Sequence, residues 1–185
     1  MTITTPRTTL EEFLKLPYID ESPAWEYINT EAVQKPMGGG KHSLLQKRLV
    51  AAIDAVGSNY EAFPELRCTF GNRSVVPDVT IIATNQIPVD ESGDITNTGI
   101  EFAPPWVIEI LSPNQSQTKV TGNILHCMKY GSQLGWLIDP SERSVLVYQR
   151  DRLPDLLAGA DVLPVLLEIK LTLCVDELFT WLKLV

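Results

Sequence analysis

A chain of 185 residues with 23 acidic and 15 basic side chains, net charge −8, is not a generic nucleic-acid coat, which needs a basic surface overall. Its apolar content of 44% excludes wholesale disorder, and no apolar run approaches the roughly 20 residues that span a bilayer. The length suits one domain, residues 1–185, with a substantial core.

The opening MTITTPRTTLEEFLKLPYID has no basic segment followed by an apolar one, so no secretory leader is expected. Thr8 or Thr9 with Glu11 or Glu12 makes a capping box, predicting a short helix over TLEEFLKL that ends near Pro17. AWEYINTEAVQKP predicts a hairpin turning near Asn29-Thr30. In KHSLLQKRLVAAIDAVG, Leu45, Leu49, Ile53 and Val56 recur at helical spacing, and Gly57 closes the helix. NYEAFPELRCTF and RSVVPDVTIIA read as two strands separated by a Gly71-Asn72 turn, and residues 84–103 as an exposed loop. PWVIEIL reads as a strand buried on both faces, followed by a helix over about residues 117–131. LGWLID and RSVLVYQR are strands joined by a turn containing Pro140. VLPVLLEIKLTL reads as a last strand and VDELFTWLKL as a terminal helix. This order predicts an α/β protein, a mixed sheet with helices on its faces.

Cys68, Cys127 and Cys174 are odd in number and form no close pair. They read as reduced thiols of a cytoplasmic protein, not as a disulfide frame or a zinc site, and two histidines add little support for zinc. Residues 33–73 carry six bases (Lys35, Lys41, Lys47, Arg48, Arg67, Arg73) against three acids, which allows either a local basic face or a merely solvated one.

Chemistry concentrates in two carboxylates. Glu109 sits at the centre of the apolar run PPWVIEILSP, where an ionised group costs several kcal/mol, roughly, unless compensated. Asp78 lies inside VVPDVTIIA, although Asp is a poor strand former and rarely buried without a partner. Two acids on successive strands can converge at one sheet edge. A divalent cation between them keeps both ionised, and magnesium suits hard oxygen ligands plus water and phosphate, the setting of hydrolytic chemistry. The alternatives are that Asp78 after Pro77 begins a turn while Glu109 pairs with a core arginine such as Arg67 or Arg73, or that both acids pair with arginines in a protein without metal.

Other motifs fail. GGGKHS has Lys35 and His42 where a phosphate-binding loop needs Gly and Ser or Thr, so it reads as a turn feeding a helix. Its N-terminus, with Lys41 and Lys47, can attract a phosphate weakly. Ser112 lacks a nucleophile-elbow context, and Trp25, Trp106, Trp136 and Trp181 fall in apolar segments as core or interface residues.

Pro77-Asp78 followed by Glu109-Ile110-Leu111 resembles the PD-(D/E)XK nuclease signature. WEYINTEAV, His42, VPDVTII, PPWVIEILSP, Gly131, GWLIDP and RSVLVY, in that order, resemble the Uma-two family of restriction-endonuclease-like proteins over most of residues 20–175. The resemblance implies an αβββαβ core with added strands, and a homodimer that hydrolyses DNA phosphodiester bonds. It implies a magnesium ion, or manganese, held by Asp78, Glu109 and the main-chain carbonyl near Ile110. Glu26 and His42 match family positions as further site candidates; the alternatives are a hairpin-surface acid and a polar residue at a helix start. Leu111 stands where the signature has lysine, and the shifted family lysine falls on Asn123. Lys119, one turn earlier on the same helical face, is the candidate to orient water or phosphate with Asn123, or is an exposed lysine. The family's tyrosine near position 127 is Cys127. Without an effective lysine, the alternative function is a nuclease fold kept as a nucleic-acid or protein-binding module.

Overall fold

A computed structural model describes residues 8–113 and 115–184; residues 1–7, part of the stretch read as lacking a leader, lie outside it. Thr9 caps the first helix, α1 (Leu10–Leu14), with Glu12 completing the capping box. The hairpin β1 (Trp25–Ile28) and β2 (Glu31–Gln34) follows in the expected register, Glu26 opposite Val33. Asn29 and Thr30 both have positive φ (52° and 67°), the conformation that two-residue hairpin turns require. In α2 (Gly40–Ala55), Leu45, Leu49 and Ile53 form one fully buried stripe.

The next two predicted strands each split in two. Tyr60–Pro64 (β3) and Cys68–Phe70 (β4) belong to different sheets, as do Arg73–Val75 (β5) and Val79–Ala83 (β6). The reason lies in the prolines. Pro64 ends β3 beside Glu65 at φ 50°, and Pro77 has no N–H for a ladder between β5 and β6. Gly71-Asn72 makes the expected turn, both at positive φ.

The chain continues through β7 (Trp106–Ile110), α3 (Gln117–Lys129), β8 (Leu134–Asp139), β9 (Ser144–Gln149), β10 (Asp155–Ala158) and α4 (Val175–Thr180). One sheet has the order β2-β1-β5-β4, the other β10-β9-β8-β7-β6-β3. In the larger sheet β7 and β8 run parallel, joined by α3, and its other pairs are antiparallel. The series α2, β3, β6, β7, α3, β8 is the αβββαβ restriction-endonuclease-like core, with the smaller sheet, β9 and β10 added around it.

Leu163, Leu166, Ile169 and Leu173 are buried, but VLPVLLEIKLTL is no strand: a lone bridge from Val162 to Cys174 is its pairing among the described residues. The edge of the sheet is taken by β10 instead, whose side chains are mostly exposed and so carry no apolar alternation.

The larger sheet has one apolar layer on each face. Trp106, Ile108 and Ile110 of β7 pack with α2, α4 and the segment 163–173, whereas Val107 packs with Val120, Ile124 and Cys127 of α3. Strand alternation therefore aims Glu109 with Val107 toward α3. Trp106 and Trp136 meet edge to face, centroids 4.7 Å apart, while Trp25 and Trp181 are half-buried. A third cluster, Phe13, Ile19, Tyr27 and Ala32, seats α1 on the hairpin.

Gly135 sets the seat of α3, because a Cβ there would lie 2.5 Å from the Ile124 methyl. Gly135→Val is expected to cost about 1–3 kcal/mol by overpacking, read as a lower urea midpoint at unchanged slope.

Candidate active site

Three carboxylates converge where the sheets meet: Glu26 from β1, Asp78 just before β6, and Glu109 from β7, all buried. The pairing of Val79 with Ile108 brings Asp78 beside Glu109 at the next step of the ladder. The Ile110 N–H donates to Asp78 Oδ2 at 2.7 Å, locking the carboxylate to β7. His42 Nε2, from the first turn of α2, lies 3.0 Å from the same oxygen. Lys35 Nζ donates to Asp78 Oδ1 at 2.7 Å and to the Val76 carbonyl at 2.5 Å. Gln46 donates to the Asp78 carbonyl at 2.8 Å.

Glu26 Oε1 accepts the Val76 N–H at 2.9 Å, and the Asn123 amide nitrogen lies 3.3 Å from both Glu26 oxygens. Arg67 is occupied by Asp20, Ser74 and the carbonyls of Ile19 and Trp25, and Arg73 by Asn29. The arginine pairing of the two acids therefore does not occur: Asp78 pairs with a lysine and a histidine instead, and Glu109 with no cation among the described residues.

Charge in the cluster is uneven. Burial works against ionised Asp78, but Lys35 and His42 outweigh it and hold its carboxyl below the ordinary range. Burial and the neighbouring Asp78 charge push Glu109 well above the ordinary range. Burial raises Glu26 too, with Lys35 opposing. For Lys35, burial disfavours the ammonium, yet Asp78, Glu109 and Glu26 together raise its pKa.

Among the described residues, two buried oxygens of this cluster, Glu109 Oε1 and Asn123 Oδ1, have no hydrogen-bond partner. Both residues line one cavity of about 410 Å³, with Glu26, Lys35 and Lys119 also on its walls. Among the described residues no group of three or more His, Cys, Asp or Glu is disposed to hold an ion alone. An oxygen-rich pocket with unused oxygens fits a hard cation that takes one or two carboxylates and completes its shell from water and substrate phosphate.

Of the residues expected from sequence, the fold brings Asp78, Glu109, Glu26, His42, Asn123 and Ile110 together. Glu26 is not a hairpin-surface acid, being 6% exposed, and His42 is buried against Asp78. Lys119 stands exposed at the cavity rim. Sequence reading passed over Lys35, which it counted only in a scattered basic group. Strand parity carried the signal: Lys35 lies two residues past Val33, the cross-strand partner of Glu26, hence on the same face.

The Uma2 family, described as putative restriction endonuclease, matches residues 10–176. A solved structure described as a putative nuclease belonging to DUF820, from Anabaena variabilis ATCC 29413, superposes with a TM-score of 0.90 at 48% identity, covering 95% of this chain and 99% of that one. No curated protein matches the chain.

The raised carboxyls make stability depend on pH. Burial raises the pKa of Glu109 and Glu26 above the ordinary carboxylate range, so the folded protein binds protons there more tightly than the unfolded chain does. Their contribution is full below that range and is lost as pH rises through the raised values; Asp78 acts oppositely, losing its contribution as pH falls. In EDTA, Glu109→Gln is expected to flatten the decline of the urea midpoint as pH rises above the ordinary carboxylate range; equal slopes for the two proteins would contradict this assignment.

Proposed function

Since the chain belongs to the Uma2 family, we propose that it is a metal-dependent endonuclease that hydrolyses DNA phosphodiester bonds, its length acting as one restriction-endonuclease-like domain. The observation that carries this reading is the buried carboxylate pair Asp78 and Glu109, with Glu109 Oε1 and the adjacent Asn123 Oδ1 left without partners where both residues line a cavity. Asp78, Glu109 and the carbonyl of Ile110 would hold magnesium, or manganese in its place. When bound, such an ion stabilises charge growing on a phosphate and makes water a better nucleophile at neutral pH.

The chain's own groups do the positioning. The Ile110 N–H and His42 fix the Asp78 carboxylate. Asn123 and the Val76 N–H fix Glu26. Lys35 supplies the buried positive charge for orienting water or the scissile phosphate, and Lys119 meets substrate phosphate at the rim. A homodimer presents two such sites to the two strands of DNA. Three cysteines without disulfides suit the reducing cytoplasm. Among the described residues no helix is long and apolar enough to cross a membrane.

One observation favours a second reading, a nuclease fold kept as a binding module: Lys35, His42 and the Ile110 N–H already take three of the roughly four acceptor positions of Asp78. Supercoiled plasmid with manganese or magnesium separates the two. The nuclease nicks it, EDTA stops it, and Asp78→Asn abolishes nicking and the calorimetric heat of manganese binding while circular dichroism stays native. A folded wild-type protein that neither nicks nor binds manganese leaves the binding module.

The two lysines are told apart by nicking rate. Lys35→Met is expected to lower the rate by about 100-fold, the scale of losing one charge-stabilising group, and Lys119→Met by less than about tenfold.

A further inference from the structure

The cavity over the carboxylates does not stand alone. Its walls are Glu26 and Ile28 of β1 on one side and Lys119, Val120 and Asn123 of α3 on the other. A second cavity, about 240 Å³, is walled by Asn29 and Thr30 on the hairpin side and by His126, Lys129 and Tyr130 on the α3 side. On the hairpin side Ile28 is followed by Asn29, and on the α3 side Asn123 is followed within one turn by His126. The two cavities therefore follow one another along the same seam between hairpin and helix. Lys119, Asn123, His126 and Tyr130 recur at four, seven and eleven residues, one stripe along α3. That stripe runs roughly 16 Å at 1.5 Å per residue, about five steps of a B-form strand at 3.4 Å each.

The far stretch is chemically distinct. Among the described residues no Asp or Glu lines it, although acids outnumber bases 23 to 15 in the chain. Arg73 lines it and bridges hairpin to helix, donating to Asn29 Oδ1 at 2.9 Å and to the Gly122 carbonyl at 3.5 Å. Its aromatic groups are built in. His126 stacks on Phe70 with centroids 4.9 Å apart, and its Nε2 lies 3.1 Å from the Phe70 carbonyl. Tyr130 rests on Gly71, where a Cβ would fall 2.3 Å from the ring, and it stays 45% exposed. Lys129 reaches over that ring, 5.5 Å from its centroid.

We propose that this groove carries a strand of nucleic acid flanking the bond held at the carboxylates, with backbone phosphates at Arg73 and Lys129 and a base against the exposed Tyr130. Cations for phosphates with an aromatic ring for bases is the combination that binds single strands without reading sequence. The placement of the reacting bond rests on the nuclease reading above; the groove's affinity for a strand does not.

The test is fluorescence anisotropy of a short fluorescein-labelled single-stranded oligonucleotide in EDTA, where no cleavage intervenes. Arg73→Gln/Lys129→Gln is expected to weaken binding at least about tenfold and to reduce the slope of log K against log salt by about 0.7 for each contact removed. Lys129→Gln alone, an exposed substitution, gives the smaller drop if the double variant misfolds. Lys170→Gln/Lys183→Gln makes the same charge change elsewhere on the surface and is expected to bind like wild type. Equal binding by the groove variant and this control overturns the proposal, and so does a wild-type protein that binds no oligonucleotide. Plasmid nicking by the same preparations keeps the outcomes apart: nicking without groove dependence leaves the nuclease reading standing, and groove-dependent binding without nicking leaves only the groove.

Discussion

The contact on which the rest depends is the buried ion pair of Lys35 with Asp78. Three carboxylates from three elements crowd into one buried spot, and without an opposing charge that cluster would repel itself apart or take up protons. One tethered ammonium keeps Asp78 low, while burial still leaves Glu26 and Glu109 with raised pKa values. Lys35 touches Asp78 directly and acts electrostatically on Glu26 and Glu109 as well. Removing one partner of such a pair leaves a naked buried charge, whereas the intact pair contributes little net stability. The pair is better understood as holding reactive groups in place than as fastening the fold.

That arrangement explains the split of the middle strands. A continuous strand from Arg73 to Ala83 would place Asp78 within a ladder, its side chain committed to one face. Because the chain leaves one sheet at Val75 and enters the other at Val79, Asp78 falls at the crossing, where Lys35 from the hairpin, His42 from α2 and the Ile110 amide from β7 all reach it. Pro77 lies at that crossing for the same reason that proline is excluded from a sheet interior.

Much of this was legible in the sequence where a residue violated its surroundings. Asp78 and Glu109 drew notice as acids in apolar runs, and periodicity located α2, the hairpin and the buried strand β7. The rest was hidden for definable reasons. Lys35 violates nothing, since a lysine beside a proline at a strand's end is an ordinary surface pattern; only the register of the hairpin turns it inward. The splits at Pro64 and Pro77 depend on which sheet each half joins, a choice made by long-range pairing. Segment 162–173 imitates a strand because its buried residues, Leu163, Leu166, Ile169 and Leu173, serve an irregular cover over the core. The exposed β10 betrays itself by no pattern at all.

Two main-chain amides are sealed by the cluster itself, Val76 beneath Glu26 and Ile110 beneath Asp78. Neither proton can trade with deuterated solvent until its carboxylate lifts away, and that departure dismantles the constellation. Their exchange rates are therefore a clock for how often this centre comes undone, readable in the resting protein with no ligand present.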